Sequence, residues 1–124
     1  FIIQEQKTHL AQNALLQNTG NLRLLLKLIV IAFLPAVAEE LVFRGVILSR
    51  LKKASNNEHY AVIVTSVLFA IIHFQPSHLL SMIFLATIIG YIYTRTNNIF
   101  YAMLFHFIFN ASTILSGHYF GAGM

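Results

Sequence analysis

The stretch "PAVAEELVFRG", residues 35–45, places two carboxylates and a guanidinium within a run of otherwise apolar side chains. A charge at the middle of a membrane helix costs roughly 2.5–3.5 kcal/mol on insertion scales, so these groups need partners or water. Glu40 precedes Arg44 by four positions, which predicts an ion pair on one helix face. Glu39 points about 100° away around the helix and lacks that cation. It therefore has the profile of a general acid or base.

The composition around this stretch indicates a membrane protein. The chain has 124 residues, of which 57% are hydrophobic and 10% are charged, whereas soluble domains carry about a quarter charged residues. The net charge of +4 comes from basic residues at the ends of apolar runs. This placement is typical of membrane topology, so no nucleic-acid partner is expected. The absence of cysteine excludes disulfides and Cys-based metal sites.

Four apolar runs predict an all-α fold, a polytopic membrane bundle of about four transmembrane helices within residues 22–124. The runs are separated by the polar segments "ASNNEH", "QPS" and "RTNN", and they cover residues 22–53, 60–74, 78–94 and 99–115. Residues 1–21 form a separate polar segment. Leu10, Ala14 and Leu15 recur there at helical spacing, which predicts an N-terminal amphipathic helix. Gly20 and Asn21 are expected to end that helix and to cap the next one.

Two later runs add imidazoles to the acids of the first. His73 lies near the end of the second run, and His106 lies in the fourth run with Asn110 on the same helix face. With a rise of about 1.5 Å per residue, Glu39 and His73 both lie about 21 Å from the basic ends of their helices. Asn110 lies about 18 Å from the same side. A lone His or Asn is more often a bonded core residue, but this shared depth favours a functional site.

The cluster has the groups that amide hydrolysis requires. Glu39 is expected to take a proton from water while His73 helps to hold that water, and His106 and Asn110 can donate to an oxyanion. Pro35, one turn earlier, is expected to kink the helix and to open space for the water. The set Glu39, His73 and His106 is also one that a divalent metal such as zinc accepts. The sequence nevertheless lacks the H-E-x-x-H pattern of zinc proteases.

Three motifs in order resemble the CPBP intramembrane proteases, the CAAX-processing and bacteriocin-processing (Abi) family. "EELVFRG" resembles the family's EExxxR motif, "FAIIH" resembles its FxxxH motif, and "HFIFN" resembles its third motif. The resemblance covers residues 30–115. It implies that Glu39 and His73 activate water and that His106 and Asn110 form the oxyanion site. It also implies that Glu40 with Arg44 supports this geometry.

The resemblance further implies an endopeptidase acting on membrane-associated peptides, either prenylated CaaX-type proteins or bacteriocin and leader peptides. We expect a glutamate-type mechanism that requires no cofactor, with zinc as the open alternative. The expected location is the bacterial cytoplasmic membrane, with the active site toward the cytoplasm. Membrane lipid and additional N-terminal transmembrane helices are the expected partners.

Two other functional classes compete with a protease. One is a non-enzymatic bacteriocin self-immunity protein or membrane scaffold that keeps the protease fold. The other is a proton-coupled transporter, which ranks last because the cluster lacks polar groups leading to both membrane faces.

The orientation in the membrane is predicted from the basic residues. Those in the polar segments after the first and third runs fall on one side of the bundle, and the positive-inside tendency makes this side cytoplasmic. These residues are Arg50, Lys52, Lys53 and Arg95, whereas Arg23 and Lys27 fall on the other side.

Overall fold

The computed structural model describes the backbone of residues 2–120 and, apart from residues 14–19, their side chains. Helices and turns account for this range, and no strand occurs within it. The all-α prediction is therefore confirmed. The elements in chain order are α1 (Ile2–Lys27), a π-helical segment (Leu28–Phe33), α2 (Leu34–Glu40), a second π-helical segment (Leu41–Leu48), α3 (Ser49–Ser55), α4 (Glu58–Ile72), a 3-10 turn (Pro76–His78), α5 (Leu79–Thr96) and α6 (Ile99–Tyr119).

The first half of the chain follows one continuous helical path from Ile2 to Ser55. Gly20 and Asn21 lie inside α1, so the predicted helix end at these residues is wrong. A glycine inside a helix costs only about 1 kcal/mol relative to alanine, and the leucine-rich residues that follow continue the helix. The side chains of Ala14 and Leu15 lie outside those described. The amphipathic face and the division at residue 21 therefore remain predictions.

Pro35 lies in the first turn of α2, directly after the first π-helical segment. Proline has no N–H for the carbonyl one turn earlier, and its ring crowds that carbonyl. The wider π-helical turn accommodates both effects, since such turns insert an extra residue into the hydrogen-bond ladder. Pro35 is thus accommodated at a local change of helix type, while the kink and the space that it would open remain predictions. The second π-helical segment carries Arg44.

Two Asn-Asn turns close the same end of the bundle. Asn56 and Asn97 adopt left-handed conformations, with φ of 50° and 55°, and end α3 and α5. The next residue in each turn caps the following helix, because the Asn57 side chain accepts from the Tyr60 N–H and the Asn98 side chain from that of Phe100. Asparagine tolerates the left-handed region better than most residues. Both turns lie in the breaks that carry basic residues.

Helices α4 and α5 approach each other closely at Gly90. A Cβ placed on Gly90 would lie 3.0 Å from Cγ1 of Val62. Ala86, one turn earlier on α5, is fully buried. The Ala86–Gly90 spacing of small residues therefore permits close helix approach. At the turn end of this pair, Thr94 donates to Glu58 at 2.6 Å and Arg95 lies 2.9 Å from the same oxygen, and both contacts lower the pKa of the Glu58 carboxyl.

Two of the described helical segments are long and apolar enough to cross a membrane, Pro76–Thr96 and Ile99–Tyr119. The apolar helix Glu58–Ile72 is shorter than a usual span. Large apolar side chains on these helices point outward, among them Ile63, Phe84 and Ile108. The structure thus supports two of the four predicted transmembrane helices by length and composition.

Candidate active site

The predicted ion pair between Glu40 and Arg44 is present at the centre of the bundle. Nη1 of Arg44 donates to Oε1 of Glu40 at 2.8 Å, and both side chains are fully buried. The other terminal nitrogen, Nη2, donates to the backbone carbonyl of Ala86 at 2.6 Å. The guanidinium also lies 5.4 Å from the ring centroid of Phe69, in cation–π contact. One arginine therefore joins the second π-helical segment to α4 and α5.

His106 is held by the same carboxylate. Its Nδ1–H donates to Oε1 of Glu40 at 2.7 Å, and the imidazole is almost fully buried. An ionised carboxylate can only accept, so Nδ1 carries a proton and Nε2 is the nitrogen left for other contacts. Nε2 lies 3.4 Å from Oε2 of Glu39. Glu40 thus fixes the tautomer and the direction of His106.

His73 is oriented in a similar way by a backbone group. Its Nδ1–H donates to the carbonyl oxygen of Phe69 at 2.6 Å, and the Phe69 ring packs against the imidazole with 4.3 Å between centroids. Nε2 of His73 then lies 3.5 Å from Oε1 of Glu39. Phe69 therefore packs in the core, and its carbonyl also sets the tautomer of His73.

Glu39 lies between these two imidazoles and is 30% exposed. In their neutral forms, both Nε2 atoms present lone pairs toward a carboxylate that also only accepts. A water molecule donates two hydrogen bonds, so it can serve two of these three acceptor groups at a time. Glu39, His73 and His106 all line a cavity of about 590 Å³. The structure therefore brings these three predicted residues together around one open space.

Asn110 lines the same cavity, one helical turn beyond His106. Its amide nitrogen donates to the carbonyl of Ala32 across a long 3.4 Å distance. Such a weak bond leaves the amide able to turn toward a ligand. All four predicted catalytic residues thus border the cavity, while their roles remain predictions.

The cavity also has lining residues that the sequence analysis missed. Gln75, His78 and Ser81 belong to the turn after α4 and the start of α5. Their nearness to His73 in sequence was the available signal.

The cavity and the basic turns lie at opposite ends of the bundle, because Asn57 caps the start of α4 and His73 caps its end. A cytoplasmic basic side and a cytoplasmic active site therefore cannot both hold.

The donor types around Glu39 match those of zinc sites, but their arrangement does not. Imidazoles that bind metal through Nε2 usually donate Nδ1–H to an acceptor, as His73 and His106 do. Within residues 2–120, however, no group of three or more His, Cys, Asp or Glu side chains is arranged to hold one metal ion. We therefore assign no reaction step to a metal.

Comparison with known proteins agrees with the motifs. The family model described as "Type II CAAX prenyl endopeptidase Rce1-like" matches residues 21–112. The protein named "Putative membrane peptidase YdiL", from Bacillus subtilis (strain 168), is 28% identical over 90 residues, which are 73% of this chain and 36% of that protein. The chain thus spans about a third of that relative's length. No solved structure matches.

The family match includes the segments that contain Glu39, His73 and His106. The resemblance to the CPBP proteases is therefore confirmed. A membrane protease family and two apolar helices together indicate a membrane protein. The chain belongs to the Rce1-like family of type II CAAX prenyl endopeptidases.

Proposed function

We propose that this protein is an intramembrane endopeptidase in which Glu39 and His73 activate water for attack on a peptide bond. The supporting observation is the position of the Glu39 carboxylate, 3.4 and 3.5 Å from the Nε2 atoms of two oriented imidazoles. These groups border a cavity of about 590 Å³, which is large enough for a peptide segment and water. Family membership supports the same reaction class.

In the proposed reaction, water donates one hydrogen bond to Glu39 and the other to Nε2 of His73. Glu39 removes a proton as the water oxygen bonds to the carbonyl carbon, which leaves a tetrahedral oxyanion. The proton then moves to the amide nitrogen as the C–N bond breaks. The products are a peptide with a new carboxyl group and a peptide with a new amine, and Glu39 is ionised again.

His106 and Asn110 are the proposed partners of the oxyanion. The Asn110 amide donates after giving up its long bond to Ala32. His106 already donates through Nδ1 to Glu40, so it donates through Nε2 only when both ring nitrogens carry protons. The loss of one oxyanion donor lowers kcat by about 10²–10³-fold in other hydrolases.

The proposed substrates are membrane-associated peptides, either prenylated CaaX-type or bacteriocin and leader peptides. We propose a mechanism without a metal. Metal analysis of active protein together with turnover in a chelator tests this proposal, and loss of turnover that added zinc restores would contradict it.

The proposed function is tested with the full chain in lipid vesicles and a membrane-anchored reporter peptide. Glu39→Gln keeps the side-chain size but removes the base, so turnover should fall by about 10²–10⁴-fold. Glu5→Gln is the matched control, since the exposed Glu5 lies in α1. A folded Glu39→Gln protein with wild-type turnover would contradict the proposal. Peptide binding without turnover by the wild type would favour the scaffold alternative.

A further inference from the structure

A second cavity, of about 610 Å³, lies between α1 and α6 and contains three basic side chains, Arg23, Lys27 and His118. It shares Ile31 and Thr113 with the walls of the candidate active-site cavity. The two cavities therefore lie side by side along one groove. We call this second cavity the basic pocket.

The wall of the groove is a series of residues spaced by four positions. Arg23 and Lys27 lie in the basic pocket, Ile31 in both cavities, and Pro35 and Glu39 in the active-site cavity. Residues four apart lie on the same face of a helix. A peptide that follows this face from Glu39 therefore reaches the two cations.

The charge of the basic pocket favours an anion. Arg23 and Lys27 are both exposed within it. None of its described lining residues is acidic. Arginine and lysine bind carboxylates through charge-assisted hydrogen bonds. The groove thus joins a site suited to peptide-bond hydrolysis to a site suited to a carboxylate.

We propose that the basic pocket binds a carboxylate of the peptide substrate, about five residues from the scissile bond. Lys27 and Glu39 are twelve positions apart, about 18 Å along the helix. An extended peptide covers this distance in about five residues at roughly 3.3 Å each. The carboxylate belongs to an acidic side chain or to the chain terminus. The inference rests on the proposed function.

The test measures binding to Glu39→Gln protein, so that it does not depend on turnover. All peptides share one sequence around a fixed central bond. Each pair of peptides differs at one position, where one peptide has Asp and the other has the neutral Asn, and the position is moved step by step to either side of the bond. We expect Asp to strengthen binding by about 1.5- to 5-fold near the fifth position, as expected for an exposed ion pair. Free-acid and amidated peptides of matched length distinguish a terminal carboxylate from a side chain.

Adding Arg23→Gln and Lys27→Gln together should remove this preference and leave binding of the Asn peptides unchanged. The matched control carries Lys52→Gln and Lys53→Gln instead, at the opposite end of the bundle. This control should retain the preference for Asp peptides. Equal binding of Asp and Asn peptides at every position would overturn the inference. A preference for Asp that persists without Arg23 and Lys27 would also overturn it. A preference found only in vesicles without anionic lipid would overturn it too, because lipid phosphate would then be the occupant of the basic pocket. Wild-type protein that binds as expected but shows no turnover would contradict the proposed function alone.

Discussion

Glu40 is the residue on which the geometry of the site depends. One of its oxygens accepts from Arg44 at 2.8 Å and from His106 at 2.7 Å. It does so while fully buried, where an unpaired charge is costly. Glu39, its neighbour in sequence, stays partly exposed beside the cavity. Two adjacent acids thus have different environments, one inside the bundle and one at the reacting space.

Replacement of Arg44 by Met should destabilise the protein strongly, because Glu40 would then be buried without its cation. Breaking a buried ion pair from one side costs about 3–5 kcal/mol. The double variant Glu40→Gln with Arg44→Met should be less destabilised, since no charge remains unpaired. Denaturant unfolding in detergent measures both. Equal destabilisation by the single and the double variant would contradict this view of the pair.

The sequence predicted the side chains of this cluster better than their backbone partners. The four-residue spacing indicated the pair of Glu40 with Arg44, and the depth estimate placed Glu39 near His73. The carbonyls of Phe69 and Ala86, which orient His73 and Arg44, carried no signal in the residue types. Any residue can supply a backbone carbonyl, so only the fold reveals which one is used.

At the scale of helices, the contact between α4 and α5 fixes where His73 lies relative to the arginine. Gly90→Ala would bring a Cβ to 3.0 Å from Val62. Overpacking of this kind costs about 1–3 kcal/mol. The added Val62→Ala should restore much of that stability, because it removes the atoms that the new methyl group meets.

Gly117→Ala, in α6, is the control for helix propensity, since a methyl group added there would meet no atom of the described residues within 4 Å. Gly117→Ala should leave stability unchanged or raise it. Thermal unfolding in detergent measures the whole series. A Gly90→Ala variant as stable as Gly117→Ala, with no effect of Val62→Ala, would show that the close approach does not limit packing.

The polar breaks in the sequence predicted the ends of the later helices to within a few residues. The helix from Ile2 to Ser55 was not predicted as one path, because Gly20 signals a helix end and Pro35 signals a kink. Gly20 was absorbed at low cost, and Pro35 was accommodated by a π-helical turn. Such turns have no residue pattern that marks them in advance.

For the whole molecule, the site and the basic turns lie at opposite ends of the bundle. We propose that the cavity end, which carries Arg23 and Lys27, faces the cytoplasm, as the family resemblance implies. Because the chain has no cysteine, single Ser77→Cys and Ala54→Cys variants can be labelled cleanly; both positions are exposed.

A membrane-impermeant thiol reagent should label Ser77→Cys from the cytoplasmic side and Ala54→Cys from the other side. The reverse pattern would contradict the orientation and would support the basic turns as the cytoplasmic side. Labelling of both variants from one side would contradict a bundle that crosses the membrane between its two ends.

The most direct test of the central claim is a single turnover in water enriched in ¹⁸O, with mass spectrometry of the peptide products and of the protein. If Glu39 activates water, the new carboxyl group gains one ¹⁸O atom and the Glu39 carboxylate gains none. A product that lacks ¹⁸O, with the label on Glu39 instead, would show that Glu39 attacks the peptide itself and would contradict the account.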